Sequence, residues 1–464
     1  MRPRLIIVPL LVLAFAVLGL ALPVRAAAQV PAATARTPVK LNRLGDGAWS
    51  YFGDPRAVHY SGLLHQTYTG WTDQAGNVVV AVHGPRYAAA TVVARLNLPN
   101  DHSNPSLLMR ADGRLMVFYS RHGGDQMFYR VATHPESIAS WGAEQVVTTN
   151  SRGGNGYVYP NPILLKDQVF LFWRGGNWQP TYSTIVGGGR WSRARTVVRG
   201  GSGQRPYVKY APDGKGRILM AFNTAHPREG NSSLYFASFD RRGSLFRASG
   251  KRIARRAQLP IRPRRADRIH DMGRTGLRSW VQDVAATRTG RPVIVYAVFP
   301  SSQRHQYRYA RWNGRRWERH VIVDNAGGSI SSVAFESFYA GGITLDHRDP
   351  SIVYLSRRVG NVNEIEMWRT RNRGRTWSRT PITSNSPTDN IRPVSPRGLH
   401  AGESEVLWLR GQYGHYRTFR TSVFVSSPWD RSLGQVGFPP PRPPPPTPSP
   451  TPYPAPPPKQ SGGS

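Results

Sequence analysis

Apolar and polar positions along this chain alternate with a period near two, and the 3.6-residue period of an amphipathic helix is almost absent. Short apolar runs are cut by Gly, Asp and Asn, the residues of tight turns. One unit recurs: an apolar strand, a tight turn, a strand ending in aromatics, then a polar hairpin. It stands at LLHQTYTGWTDQAGNVVVAVH, GRLMVFYSRHGGDQMFYRVA, QVFLFWRGGNWQPTYSTIV and GRILMAFNTAHPREGNSSLYFASF. It returns at GRPVIVYAVFPSSQRHQYRYARW, SIVYLSRRVGNVNEIEMWRT and SEVLWLRGQYGHYRTFRTSVFV. From the second onward the units begin near 113, 168, 216, 290, 351 and 404. A repeat of about 50–60 residues with several strands each predicts a propeller, whereas a β-sandwich would not repeat in this way. The expected fold is therefore all-β, a seven-bladed β-propeller over residues 41–427, with six or eight blades as the alternatives. Trp-bearing outer turns, NGRRWERHVIV, GGGRWSRARTVV and RNRGRTWSRTPIT, support the repeat. The widest spacing holds an Arg-rich insert, RRGSLFRASGKRIARRAQLPIRPRRADR.

The two ends do not share this pattern. Residues 1–28 combine a basic start, an apolar run and a small-residue Ala26-x-Ala28 site, the form of a secretory signal cut near Ala28. An uncleaved membrane anchor is the alternative, since the run is long enough to span a bilayer. Residues 29–40 read as a short leader. Residues 428–464 are a proline-rich tail ending in Gly and Ser, which cannot build a core and reads as a disordered end or an extended spacer. The protein is thus expected to be secreted, extracellular and monomeric, with the tail available for cell-surface or cell-wall association.

Charge changes the picture further. Across 464 residues, 62 Lys and Arg face 26 Asp and Glu, a net charge of +36. Such an excess draws polyanions by long-range steering, and arginine suits a bidentate grip on carboxylate, sulfate or phosphate. No nucleic-acid-binding motif is present, which leaves acidic polysaccharide or an anionic surface and argues against a specific nucleic-acid partner. There is no cysteine, so the core must stand without disulfides in a compartment that permits them.

Candidate chemistry comes from folding the hairpins on paper. In NDHSNPSLLMRADGRLMVFYSRHGG the turn falls at Asp112–Gly113, which brings His102 and His122 to the same open end. In YVYPNPILLKDQVFLFWRGG a turn at Lys166–Asp167 sets Tyr159 opposite Arg174. In GQRPYVKYAPDGKGRILMAFNTAHPRE a turn at Asp213–Gly214 leaves Arg205 and Tyr207 near the open end with His226. Equivalent ends of successive blades gather on one face around the axis, so these residues are expected to share a pocket. Two placed carboxylates, as glycoside hydrolysis requires, are not among them. HDMG at His270 and LDHRDP at 346–350 are weak metal candidates, and no nucleophile elbow is present. His, Tyr and Arg suit proton abstraction α to a carboxylate: Arg, helped by His, neutralises a uronate, His or Tyr removes the C5 proton, and Tyr protonates the departing C4 oxygen. That is β-elimination of an acidic polysaccharide. It requires no cofactor, and a structural divalent metal is left open.

At these residues the sequence resembles the BNR-repeat, sialidase-like seven-bladed propeller family that includes secreted ulvan lyases. The resemblance is carried by WSYFGDPRAVHY, DHSNPSL, YSRHG, YPNPILL with VFLFWRG, RPYVKYAPDG with FNTAHPRE, GRPVIVYAV, FYAGGITLDHRDPSIVYLSR and NIRPVSP. It implies that His102 and His122 match the lyase-site histidines, Tyr159 the acid/base tyrosine and Arg174 the carboxylate-neutralising arginine. Tyr207 and His226 then match supporting residues, with His122, Arg205 and Tyr207 binding substrate beside the catalytic His102, Tyr159, Arg174 and His226. A cysteine-ligated metal found in relatives could not be built here. RNRGRTW departs from the family's outer-turn box by placing Asn372 where an Asp is usual. The rival readings are a non-catalytic propeller that binds acidic glycans and a sialidase-like hydrolase. For the hydrolase, Glu336 in AFESFYAGG is the one acid in a suggestive context, although it reads better as part of a surface turn.

Overall fold

The computed structural model describes residues 41–85, 88–147, 156–201, 203–400 and 403–426. The expected signal, leader and proline-rich tail lie outside the described residues. Among those described, no helix is long and apolar enough to cross a membrane.

Seven antiparallel sheets follow one another along the chain, at 57–95, 106–146, 158–196, 207–270, 278–323, 343–381 and 390–426. Each begins with its innermost strand and steps outward, which is the order of propeller blades. Leu41–Asp46 pairs antiparallel with Thr418–Ser426, so the first described strand completes the last blade. This closure ties the two ends of the ring together where no disulfide can.

The blades stack face to face, so both faces of the middle strands are covered. That explains why Gln66–Thr72 and Asn77–His83 are buried at every position, and why the second of them, NVVVAVH, reads as a near-continuous apolar run. The fourth blade departs from the expected four strands. Its Arg-rich insert folds onto the outer edge as Leu245–Phe246, Arg252–Ala254 and Asp267–His270, making six strands.

The outer turn of RNRGRTW folds without its Asp. Asn372 Oδ1 accepts from the Thr376 amide at 2.8 Å, Gly374 N donates to Thr370 Oγ1 at 2.8 Å, and Trp377 Nε1 donates to Gly374 O at 3.0 Å. The amide oxygen of Asn does what a carboxylate oxygen would.

A segment of no regular structure, residues 47–56, crosses the centre of the ring. Ser50 N donates to Asp101 O at 3.1 Å, and Tyr51 OH donates to Ala340 O. Phe52 packs on Tyr159, Tyr207 and Trp280 with ring centroids 5.3, 5.1 and 5.7 Å apart. Asp54 takes Lys209 Nζ at 2.6 Å. This segment therefore plugs the axis and sets the Phe52 ring against the candidate residues Tyr159 and Tyr207.

Candidate active site

The hairpin of the second blade pairs Ser106 with Phe118 and Met109 with Leu115, the register expected from its Asp-Gly turn. Continued past the strand ends, it stacks the His102 and His122 rings 4.3 Å apart at 21°. His102 lies in a single turn of 3-10 helix capped by Asn100, whose Oδ1 accepts from His102 N at 3.0 Å. The Asn100 amide nitrogen must then donate to His122 Nδ1, 3.1 Å away, which puts a neutral His122's proton on Nε2.

His102 Nδ1 is hydrogen-bonded to Asp101 Oδ1. Asp101 is fully buried. Burial alone would raise its pKa, but Arg392 and His102 prevail and hold the carboxyl well below its ordinary range. Arg392 Nη1 lies 2.6 Å from Asp101 Oδ2, and Tyr413 OH donates to the same oxygen at 2.7 Å. An ionised carboxylate only accepts, so Nδ1 of His102 carries a proton. Burial pulls the His102 pKa below its ordinary 6.5, with Asp101 opposing. The ring is thus neutral at physiological pH and keeps a basic lone pair on Nε2.

Tyr159 follows a register break. Val158, not Tyr159, pairs with Arg174, and Tyr159 takes a left-handed φ of 61° before Pro160. The bulge turns the ring inward, and Arg174 still reaches it, with Cζ 4.7 Å from the Tyr159 centroid. Burial drives the Tyr159 pKa well above 10, opposed by Arg174, so the phenol stays protonated. The Tyr159 ring lies 5.3 Å from His102 and 6.1 Å from Tyr207.

Arg174 is 6% exposed, and neither its Nε nor its Nη1 has a hydrogen-bond partner among the described residues. Its guanidinium instead lies over three rings, Tyr159, Trp178 and Tyr207, at 4.7, 4.7 and 5.1 Å. A small pocket opens against it, bounded also by Asn161, Pro206 and Tyr210.

In the fourth blade a longer turn shifts the expected pairing. Tyr207 lies opposite Asn223, with His226 three residues beyond, yet the Tyr207 and His226 rings meet at 5.5 Å. His226 Nδ1 accepts from Arg228 N at 3.2 Å, and Nε2 lies 3.8 Å from Glu336 Oε2. Burial, with Arg228 adding to it, holds His226 neutral. Arg205 stands at the rim: it stacks on Trp178 at 4.7 Å and approaches Glu229 at 3.9 Å. It reaches the cluster only through the indole it shares with Arg174.

Glu336 is not on a surface turn. It is 2% exposed, hydrogen-bonded to Arg228 Nη1, and raised by burial to about 7. Asp101, Arg392, Tyr413, Trp178 and Glu336 complete the site and were not picked out as parts of it from the sequence. At the two weak metal candidates, His270 Nε2, at the end of a strand, donates to Leu277 O at 2.8 Å, and Asp346 Oδ1 accepts from Arg348 N at 2.9 Å. Among the described residues, no group of three or more His, Asp or Glu could hold a metal.

The fold is thus a seven-bladed propeller in which successive blades bring His, Tyr and Arg side chains into one buried cluster, with a small pocket beside Arg174. The family model for BNR repeat-containing proteins matches residues 66–325, and the chain belongs to that family. No curated protein matches it. Among solved structures it is similar to a polysaccharide lyase PL25 ulvan lyase bound to -[GlcA(1-4)Rha3S]-. That likeness has a TM-score of 0.60 at 14% identity and covers 84% of this chain and 96% of that one. It is also similar to the polysaccharide lyase Uly1, with a TM-score of 0.54 at 11% identity over 84% and 99% of the two chains. At these identities the likeness is one of fold.

Proposed function

We propose that the protein is a secreted polysaccharide lyase that cleaves a uronate-containing, ulvan-like polysaccharide by β-elimination. The observation that carries this reading is Arg174, a buried guanidinium with no counter-ion among the described residues, set beside a protonated tyrosine and a carboxylate-backed histidine. A buried cation without a partner is costly, and a substrate carboxylate would relieve that cost. The two solved lyases share the fold, and one holds a uronate-containing oligosaccharide.

The steps follow from the protonation states. Arg174 binds the uronate carboxylate and stabilises the negative charge that builds there as the C5 proton leaves. His102 Nε2 takes that proton, and the resulting imidazolium is stabilised by Asp101. Tyr159, held protonated, gives its proton to the C4 oxygen as the C4–O bond breaks and the C4–C5 double bond forms. His122 and Tyr207 pack against the reacting groups, and His226, with both ring nitrogens facing protein, supports the pocket wall. Arg205 and Trp178 bound the rim.

The test is to incubate the full-length protein with ulvan, glycosaminoglycans and other polyuronates and to follow ultraviolet absorbance. An unsaturated sugar product from at least one of them is expected. Binding without product from every polymer would instead leave a non-catalytic acidic-glycan-binding propeller.

A further inference from the structure

The Arg-rich insert plays no part in the chemistry above. Residues 241–268 hold eleven basic residues and a single acid, Asp267. The segment is held firmly to the fold. Leu245, Ile253, Ala254, Ile261 and Ala266 are all 6% exposed or less and pack into the hydrophobic cluster between the third and fourth blades. Ile261 forms a parallel bridge with Val198 at the outer edge of the third blade, and Arg199 N donates to Ile261 O at 2.9 Å. With its apolar side chains turned inward, the insert turns its cations outward.

Some of these cations are already paired: Arg241 with Asp167 at 2.7 Å, Arg268 with Asp271 at 2.7 Å, and Arg247 with Asp267 at 3.8 Å. Arg242, Lys251, Arg252, Arg262 and Arg264 are exposed and have no acidic partner among the described residues. Arg199, also exposed, extends the strip onto the third blade. The same two blades supply Tyr159, Arg174, Tyr207 and His226.

The chemistry of the strip selects its partner. A single-stranded nucleic acid calls for aromatic platforms, but the one aromatic in the segment, Phe246, is covered by Arg217 at 4.1 Å. Insertion into a membrane surface would add exposed apolar side chains to the charge, and none of the large exposed hydrophobics falls in the segment. Arginine-dominated cations on a fixed edge fit the sulfates and carboxylates of a long glycan. We infer that the outer edge of the third and fourth blades is a second binding surface for anionic polysaccharide, engaging a stretch of the polymer that the pocket does not hold. The choice of polysaccharide rests on the reading of the pocket; the binding itself is measured without turnover.

The test compares wild type with the fivefold variant Arg242→Glu, Lys251→Glu, Arg252→Glu, Arg262→Glu and Arg264→Glu in the full chain. A second set carries Gln at the same positions, in case charge reversal disturbs folding. Ulvan polymer and a tetrasaccharide cut from it are the probes, with RNA and phosphatidylserine vesicles as competing ligands. Polymer affinity should fall roughly tenfold to a hundredfold with a shallower salt dependence, less in the Gln set, while tetrasaccharide affinity is unchanged. Unchanged polymer affinity in a folded variant overturns the inference. So does an equal loss for the tetrasaccharide, or RNA or vesicles held more tightly than polymer through these five residues. Loss of polymer binding in a protein that forms no unsaturated sugar upholds this surface and overturns the lyase reading alone.

Discussion

Arg174 and Arg392 are both buried guanidiniums that lie over aromatic rings, and each has two nitrogens without a hydrogen-bond partner among the described residues, yet they differ in their counter-ion. Arg392 is 1% exposed and committed to the protein: Asp101 and Trp49 O each lie 2.6 Å from Nη1, and Tyr51 and Tyr413 flank the guanidinium. Arg174 has aromatic rings on its faces and, among the described residues, no ion pair with an acid. The first arginine holds the site together. On the proposed function, the second is the one that meets the substrate. Burial and charge alone do not separate the two roles; the presence of an internal counter-ion does.

Replacing each arginine in turn separates the two roles most widely. Arg392→Met strands Asp101 as an unpaired buried charge and should cost about 3–5 kcal/mol of stability, read from denaturant unfolding. Arg174→Met should leave stability unchanged or raised, yet lower turnover by roughly two to three orders of magnitude. Tyr159→Phe keeps the ring packing and removes only the proton donor. Its kcat should fall about a hundredfold with the unfolding curve unchanged.

The pH dependence sharpens the account of His102. Its lowered pKa keeps the base free, so kcat/KM should be flat near neutrality and fall only below pH 6.5. His102, His122 and His226 are all held neutral in the native state. The unfolded chain binds protons that the native state resists, so their contribution to stability is complete above about pH 6.5 and is lost as pH falls below it. The smallest effect belongs far from the pocket. Asn372→Ala removes the outer-turn acceptor and should cost about 1 kcal/mol, with turnover unaffected.

Much of this was legible in advance because a blade is a local object. The repeat marked all seven blades, and an Asp-Gly turn was enough to bring His102 and His122 together. Tyr159 and Arg174 also meet, but through a bulge that simple counting passes over. Tyr159-Pro160 and Arg392-Pro393 both take left-handed φ at such a bulge, 61° and 53°, but a residue before proline does not mark it by itself, since Asn161-Pro162 and Ala211-Pro212 on innermost strands do not. Asp101 sits next to His102 in sequence, yet its role depends on Arg392, nearly the whole ring away. The plug at 47–56 and the buried setting of Glu336 likewise exist only once the ring closes. Contacts of that kind leave no periodic trace in the chain.

The central claim is that Arg174 receives a substrate carboxylate. The most direct test is binding of a uronate oligosaccharide and its carboxyl-reduced counterpart to wild type and to Arg174→Met under conditions that block turnover. Wild type should prefer the uronate by roughly tenfold or more, the scale of one charge-assisted contact, and Arg174→Met should show no preference. A preference that survives the loss of Arg174 would contradict the account.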